Sequence, residues 1–188
     1  MWSNPLAEVP IYDRLAFYLN IKSLNNLNAT SKKINKIGMQ PNYRAKLYYY
    51  DATEACKRGD IEVVKWLSKK MSLSEQFTCY EMDIACCYGH LEVVEWLHKN
   101  RTEGCTTEAM DSAAANGQLE VIKWLHKNRS EGCTWKAMNF AATWGYLETV
   151  KWLYENMDVN WCIGWAISNA KYYDHIEIVK YLEDKMEK

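Results

Sequence analysis

Seven cysteines and four histidines are the side chains of this sequence best suited to metal binding or nucleophilic chemistry. Cys105, Cys133 and Cys162 recur at intervals of 28 to 30 residues, which is the period of the sequence repeat described below. No pair of cysteines has the Cys-x-x-Cys spacing. Free cysteine is among the most frequently buried residue types. The regular spacing therefore predicts small buried thiols where repeated units meet, rather than disulfides or zinc ligands, and it suits a reducing compartment.

The histidines form two pairs at equivalent positions, His98 with His126 and His90 with His175. A structural zinc site needs about four convergent ligands, and no cysteine or carboxylate accompanies either pair at helical spacing. The chain also has no Gly-x-Ser-x-Gly, no phosphate-binding glycine loop and no His-Glu-x-x-His. We therefore expect no catalytic residue, no metal and no cofactor.

The balance of charged residues indicates which classes of partner the protein can bind. Lysine and arginine number 23, aspartate and glutamate 24, and the net charge is −1. A nucleic-acid binder usually has a basic stripe and a high pI, so no nucleic-acid partner is expected. No apolar run is long enough for a membrane span, and the N-terminus lacks the pattern of a signal peptide. We expect a monomeric cytoplasmic or nuclear protein with no membrane partner.

These residues recur because the sequence itself is repetitive. The run Asn116-Gly-Gln-Leu-Glu-Val-Ile-Lys-Trp-Leu-His-Lys-Asn128 has a close copy on each side and a weaker copy beyond each of those. A fixed period of 28 to 30 residues is typical of a stacked repeat protein. The residues that anchor the five units are Gly59, Gly89, Gly117, Gly145 and Asp174.

Two helices are predicted in each unit. In the third unit an alanine-rich first helix spans residues 107–116, Asn116-Gly117 ends it with a left-handed cap, and residues 119–125 form the second helix. The fold class is therefore all-α, a solenoid of five helix-turn-helix repeats over residues 48–188. One column of the second helices is aromatic and is predicted to lie in the core between units: Trp66, Trp96, Trp124, Trp152 and Tyr181.

The third unit, Glu108-Ala-Met-Asp-Ser-Ala-Ala-Ala-Asn-Gly-Gln-Leu-Glu-Val-Ile-Lys-Trp-Leu125, resembles the ankyrin-repeat family, and Gly89-His-Leu-Glu-Val-Val94 is closer still. The opening Thr-Pro-Leu-His is missing, and each unit is shorter than the usual 33 residues. Residues 129–134 are too few for the family's β-hairpin finger and predict a simple loop. The array looks like the short-unit ankyrin arrays of giant DNA viruses and some protists, for which the host cytoplasm is implied.

Positions that vary between units are the candidates for partner recognition. In the ankyrin family, the two residues before each anchor and a third position three residues earlier in the first helix line the concave face that contacts protein partners. Tryptophan, tyrosine and arginine are also enriched in interface hot spots. An alternative is that Trp144, Tyr172 and Tyr173 only pack against the final, capping unit. The predicted partner-binding residues are Arg58, Ile84, Tyr88, Asn116, Trp135, Phe140, Trp144, Trp165 and Tyr173.

Residues 1–47 do not share the period. The run Tyr18-Leu-Asn-Ile-Lys-Ser-Leu-Asn-Asn-Leu27, continued by Thr30-Ser-Lys-Lys-Ile-Asn35, resembles part of an F-box. This resemblance implies docking to the Skp-type linker of a cullin ubiquitin ligase through Leu15, Leu19, Leu24 and Leu27. A helical cap over the first repeat is equally compatible with these residues, since a solenoid needs its end covered. We expect a non-enzymatic adaptor, or a binding protein without a ligase link, whose protein target the sequence does not name.

Overall fold

The computed structural model describes residues 52–70, 77–158 and 162–186. All of them belong to the second of the two compact units into which the chain divides, Ala52–Lys188. The predicted N-terminal module, with its docking residues Leu15, Leu19, Leu24 and Leu27, lies outside the described residues. So do residues 48–51, where the array was expected to begin. Within the described ranges, no helix is long and apolar enough to cross a membrane.

Ten α-helices and no β-strand are present in the described residues, and they form five successive pairs. The first helices are α1 (Ala52–Arg58), α3 (Cys79–Cys87), α5 (Thr107–Ala115), α7 (Trp135–Thr143) and α9 (Ile163–Tyr172). The second helices are α2 (Ile61–Lys70), α4 (Leu91–Asn100), α6 (Leu119–Asn128), α8 (Leu147–Asn156) and α10 (Ile176–Met186). The predicted all-α solenoid of five two-helix units is confirmed, although α5 ends one residue before the expected Asn116 and α6 extends beyond the expected Leu125 to Asn128.

The turn inside each unit depends on one left-handed residue. Gly117 has a φ of 68°, a conformation that glycine adopts without strain. The N–H of Gln118 then reaches back to the carbonyl of Ala113 at 2.9 Å, which satisfies a carbonyl at the end of α5. Only the fifth unit lacks glycine here, and Asp174 takes the same conformation with a φ of 62°.

The core lies between the two layers of helices. Each first helix packs against its own second helix and against the first helices of adjacent units. Ala113 and Ala114 are fully buried, and their small side chains let neighbouring first helices approach closely. The second helix supplies the larger apolar groups, which in α6 are Val121, Ile122 and Leu125. The Leu-Glu-Val glutamates lie in the first turn of these helices and are exposed, as expected of carboxylates near a helix N-terminus.

The aromatic column of the second helices is less buried than predicted, because its side chains are not enclosed in the core. Trp96, Trp124, Trp152 and Tyr181 are half-buried, because their position is at the flank of the apolar stripe and not at its centre. Trp124, Trp152 and Tyr181 each contact a ring of the preceding unit edge-on. The side chain of Trp66 lies outside the described residues. The pairs are His98–Trp124 at 5.1 Å, His126–Trp152 at 5.2 Å and Tyr154–Tyr181 at 6.0 Å between ring centroids.

The connection between units is the predicted short loop. Between α6 and α7 the chain turns at Gly132, with a φ of 72°, and forms no strand. The Glu131 carboxylate pairs with the Arg129 guanidinium and accepts a hydrogen bond from the N–H of Ser130 at 3.0 Å. Thr134 then caps α7, since its hydroxyl accepts the N–H of Lys136 at 3.2 Å.

Candidate functional site

The predicted partner-binding residues lie on the exposed side of the first helices. Tyr88, Asn116, Trp144 and Tyr173 are the C-cap residues of α3, α5, α7 and α9. The three aromatic residues among them have a high exposed fraction, which is 45% for Tyr88, 60% for Trp144 and 50% for Tyr173. Of the nine predicted residues only Ile84 is half-buried, and the other eight are exposed.

The last two units bring six exposed aromatic residues together on α7, α9 and their caps. Trp144 and Tyr173 stack with their ring centroids 6.3 Å apart and an angle of 28° between the rings. Tyr172, 82% exposed, meets Tyr173 edge-on at 4.9 Å. At the other end of the same helices, Trp135 meets Trp165 at 6.0 Å. We call this surface the aromatic face; it consists of Trp135, Phe140, Trp144, Trp165, Tyr172 and Tyr173.

The stack of Trp144 on Tyr173 bears on the alternative that these residues only pack against the final unit. Contact between the two units is real, but it leaves at least half of each side chain exposed. A residue that served only to bury apolar area would be covered by its neighbours. The contact therefore orients both rings and leaves their outer surfaces available.

The first three units present a different surface. Arg58 pairs with Glu54 at 2.6 Å, and the Lys57 ammonium lies 5.5 Å from the centre of the Tyr88 ring. The amide of Asn116 donates to the carbonyl of Ser112 at 2.9 Å. These side chains already have partners within the chain, and in the described residues no ring contact joins them to the aromatic face. The sequence-predicted set is thus divided between the first three units, which carry Arg58, Ile84, Tyr88 and Asn116, and the aromatic face, which contains the other five.

A hydrogen-bonded contact between units was missed by the sequence analysis. Asp83 accepts the N–H and the hydroxyl of Thr106 at 2.9 and 2.7 Å, and Asp111 does the same with Thr134 at 2.8 and 2.6 Å. Both carboxyls are buried. Burial raises the pKa of Asp83 and of Asp111, and the threonine hydrogen bonds only partly oppose that effect. The signal available in the sequence was the recurrence of aspartate and threonine at one fixed separation.

The pattern stops at the junction of the fourth and fifth units. Asn139 stands at the position of Asp111, and Ile163 stands at the position of Thr134 relative to the anchor residue. Asn139 is 4% exposed, and its Oδ1 has no hydrogen-bond partner. Next to it lies a shallow depression of about 510 Å³ in the aromatic face, lined by Trp135, Asn139, Trp165, Ser168 and Asn169.

The cysteines are dispersed over the array, and their environments differ in burial. The cysteines are free thiols, and the described residues contain no group of three or more histidine, cysteine, aspartate or glutamate side chains placed to hold a metal ion. Burial raises the pKa of Cys105 to about 11 and that of Cys133 to about 12. Both thiols are therefore protonated at neutral pH, the form that is a poor nucleophile.

Two models of known families match the array. The model for ankyrin repeats in many copies matches residues 82–126, and the model for three copies of the ankyrin repeat matches residues 109–188. Together they extend over residues 82–188, more than half of the chain. No curated protein matches the sequence.

Proposed function

The repeat array of this chain belongs to the ankyrin-repeat family, and from that premise we propose that it holds a protein partner against the aromatic face. Ankyrin repeats are generally non-enzymatic scaffolds with a role in protein–protein interaction. The proposal assigns that role to one surface of this chain, formed by the first helices and caps of the last two units. The polar residues Arg58, Tyr88 and Asn116 would then lie at the periphery of the interface.

The observation that supports this choice is the exposure of six aromatic residues, in two groups of ring contacts, on the first helices and caps of the last two units. Trp144, Trp165, Tyr172 and Tyr173 are each at least half exposed, although their burial would be favourable. Contiguous exposed apolar surface commonly marks an interaction site. None of the six side chains is charged, and aromatic residues are the type enriched at the centre of interfaces.

The test is affinity purification of partners with the tagged full chain, its double variant Trp144→Ala/Tyr173→Ala and the control Tyr80→Ala. Tyr80 is a suitable control because it is 54% exposed but lies on α3, outside the aromatic face. Proteins that bind the wild type and the control but are lost from the double variant support the proposal. Retention of every partner by the double variant contradicts it, provided that circular dichroism shows all three proteins to be folded.

We further propose that the N-terminal residues bring the bound protein to a cullin-type ubiquitin ligase. The support is the resemblance of residues 18–35 to part of an F-box, and these residues lie outside the described structure. Co-purification of a Skp-type linker with the full chain, and its loss in Leu19→Asp and Leu24→Asp, is the expected result. If no linker is recovered, the second candidate stands: a binding protein whose N-terminal residues cap the array.

A further inference from the structure

Each of the first four units presents one face of its helices to the unit that follows it. On the first helices this face is marked by Asp83 and Asp111, which accept hydrogen bonds from threonines of the next unit. The residues three positions later, Cys86 and Ala114, lie on the same face and are fully buried. In the part of the chain that the structure describes, no further unit covers this face of the fifth unit. We call it the outer face; its residues are Ser168, Lys171, Asp174 and Glu183.

Lys171 stands where the other units have a small buried residue, three positions before the anchor. The equivalent residues are uncharged and fully buried: Cys56, Cys86, Ala114 and Ala142. The Lys171 side chain is instead 57% exposed, and its ammonium pairs with the Glu183 carboxylate at 2.7 Å. A unit stacked on the outer face would remove both charges from water, which costs free energy that a small neutral residue does not cost.

Glu183 replaces a ring that receives the next unit. Nine residues after the anchor, His98, His126 and Tyr154 each contact an aromatic ring of the following unit edge-on. The fifth unit has the Glu183 carboxylate at this position. An aromatic side chain of a further unit would therefore meet a charged group, and the pair with Lys171 joins α9 to α10 across the outer face.

The anchor residue opposes a further unit by its shape. A Cβ on Gly117 would lie 2.5 Å from Cδ1 of Tyr146, and a Cβ on Gly145 would lie 2.7 Å from Cε1 of His175. Both rings belong to the following unit and occupy the space that the glycine leaves open. Asp174 holds the same left-handed conformation, with a φ of 62°, so its Cβ projects into the equivalent space. A side chain of a further unit could not lie where Tyr146 and His175 lie.

From these three positions we infer that the outer face excludes a further ankyrin unit, whether it comes from a second copy of the chain or from an engineered extension. Desolvation of charge opposes stacking at Lys171 and Glu183, and steric overlap opposes it at Asp174. A solenoid needs a terminal unit with a polar outer face in order to remain soluble. The inference is independent of the proposed function, because stacking of repeats is measured without any partner.

The exclusion also keeps Tyr172 uncovered. At the junction of the second and third units, the residue equivalent to Tyr172 is Cys87, whose Sγ lies 3.4 Å from Nδ2 of Asn116 in the following unit. A further unit would place its own residue against Tyr172 in the same way. Its absence leaves this tyrosine 82% exposed, at the edge of the aromatic face.

The direct test extends the array by one unit. A second copy of residues 157–188 is joined after Lys185, in register with the repeat, in the wild type and in the variant Lys171→Ala/Asp174→Gly/Glu183→Tyr of the first copy. These substitutions introduce the residue types that the fourth unit has at the same positions. A single two-helix unit cannot bury its apolar face alone, so a copy that does not stack stays unfolded. Far-UV circular dichroism measures the added helix, and limited proteolysis measures how fast one copy is degraded.

In the wild-type background we expect no added helix and rapid degradation of one copy. In the triple variant we expect the helix signal of a sixth unit and degradation at least about tenfold slower. Asp174→Gly alone removes only the steric overlap and should slow degradation in part. The matched control is Glu177→Tyr/Lys180→Ala, which makes the same types of change at exposed positions of α10 outside the outer face and should behave as the wild type.

Two results would overturn the inference. A copy that is folded and protected in the wild-type background would show that the outer face accepts a repeat. A copy that stays unfolded in both Asp174→Gly and the triple variant would show that these residues do not set the exclusion. Circular dichroism of the same variants without the second copy verifies that the five original units are folded.

Discussion

The buried carboxylate of Asp111 accepts two hydrogen bonds from Thr134, one from its backbone N–H at 2.8 Å and one from its hydroxyl at 2.6 Å. This contact fixes the start of α7 to the middle of α5, and Asp83 with Thr106 repeats it one unit earlier. Between the first two units a related contact joins the Thr53 hydroxyl to Glu81 at 2.7 Å. Neighbouring units are thus joined by specific polar contacts as well as by apolar packing.

Replacement of Asp111 tests the weight of this contact. Asp111→Ala leaves the N–H of Thr134 without its acceptor, and we expect a loss of about 1–3 kcal/mol in the free energy of unfolding measured with urea. Asn139→Ala is the matched control, because Asn139 has the equivalent position but an Oδ1 without a partner. A loss in Asn139→Ala equal to that in Asp111→Ala would show that the position, not the hydrogen bonds, carries the effect.

The anchor glycines provide a second test. A Cβ on Gly117 would lie 2.5 Å from Cδ1 of Tyr146, and the φ of 68° is unfavourable for alanine. We expect Gly117→Ala to lower the free energy of unfolding by about 1–3 kcal/mol. Gly164→Ala should instead be neutral or stabilising, because Gly164 lies inside α9 with no atom within 4 Å of an added Cβ. Thermal unfolding of the two variants side by side gives the comparison.

The fifth anchor predicts the opposite sign. Asp174 holds the left-handed conformation, with a φ of 62°, that glycine occupies in the other four units. Asp174→Gly removes this backbone strain, and we expect it to stabilise the chain by about 1 kcal/mol. An unchanged or lower melting temperature would show that the Asp174 side chain offsets the strain.

Trp144→Ala should separate binding from stability. Because 60% of this side chain is exposed, we expect little change in melting temperature. The free energy of binding to a partner that contacts the aromatic face should become less favourable by about 2 kcal/mol or more. Leu153→Ala is the converse control, since this fully buried residue of α8 should cost about 2–5 kcal/mol of stability. A large fall in melting temperature for Trp144→Ala with unchanged affinity would assign Trp144 to packing alone.

The loop pair Arg129–Glu131 predicts how stability responds to acid. Hydrogen bonding to Arg129 lowers the pKa of Glu131 below its ordinary value of 4.5 in spite of partial burial. A carboxylate with a lowered pKa in the folded state stabilises the fold above the unfolded-state pKa and loses that contribution as the pH falls through the folded-state pKa. The stability difference between wild type and Glu131→Gln should therefore be largest near pH 7 and should shrink below about pH 4.5.

The fold could be predicted in detail because its evidence is local. A left-handed residue at positions 59, 89, 117, 145 and 174, an alanine-rich helix before it and an apolar stripe after it specify the same two-helix unit each time. The exposure of Tyr88 and Trp144 followed from their place beside these anchors. The degree of burial of Trp124 and Trp152 did not, because a flanking position is covered only as far as the neighbouring unit reaches over it.

The sequence by itself determined the period, the helices and the exposed position of the variable residues other than Ile84, since each depends on residues close together in the chain. Only the tertiary structure paired Trp135 with Trp165. That contact requires α7 and α9 to pack directly against each other, although α8 lies between them in the sequence. It also showed that Asn139 lacks a partner. A buried amide is satisfied or not according to what the next unit places opposite it, and a single side chain that departs from the repeat gives no recurring pattern from which its partner could be predicted.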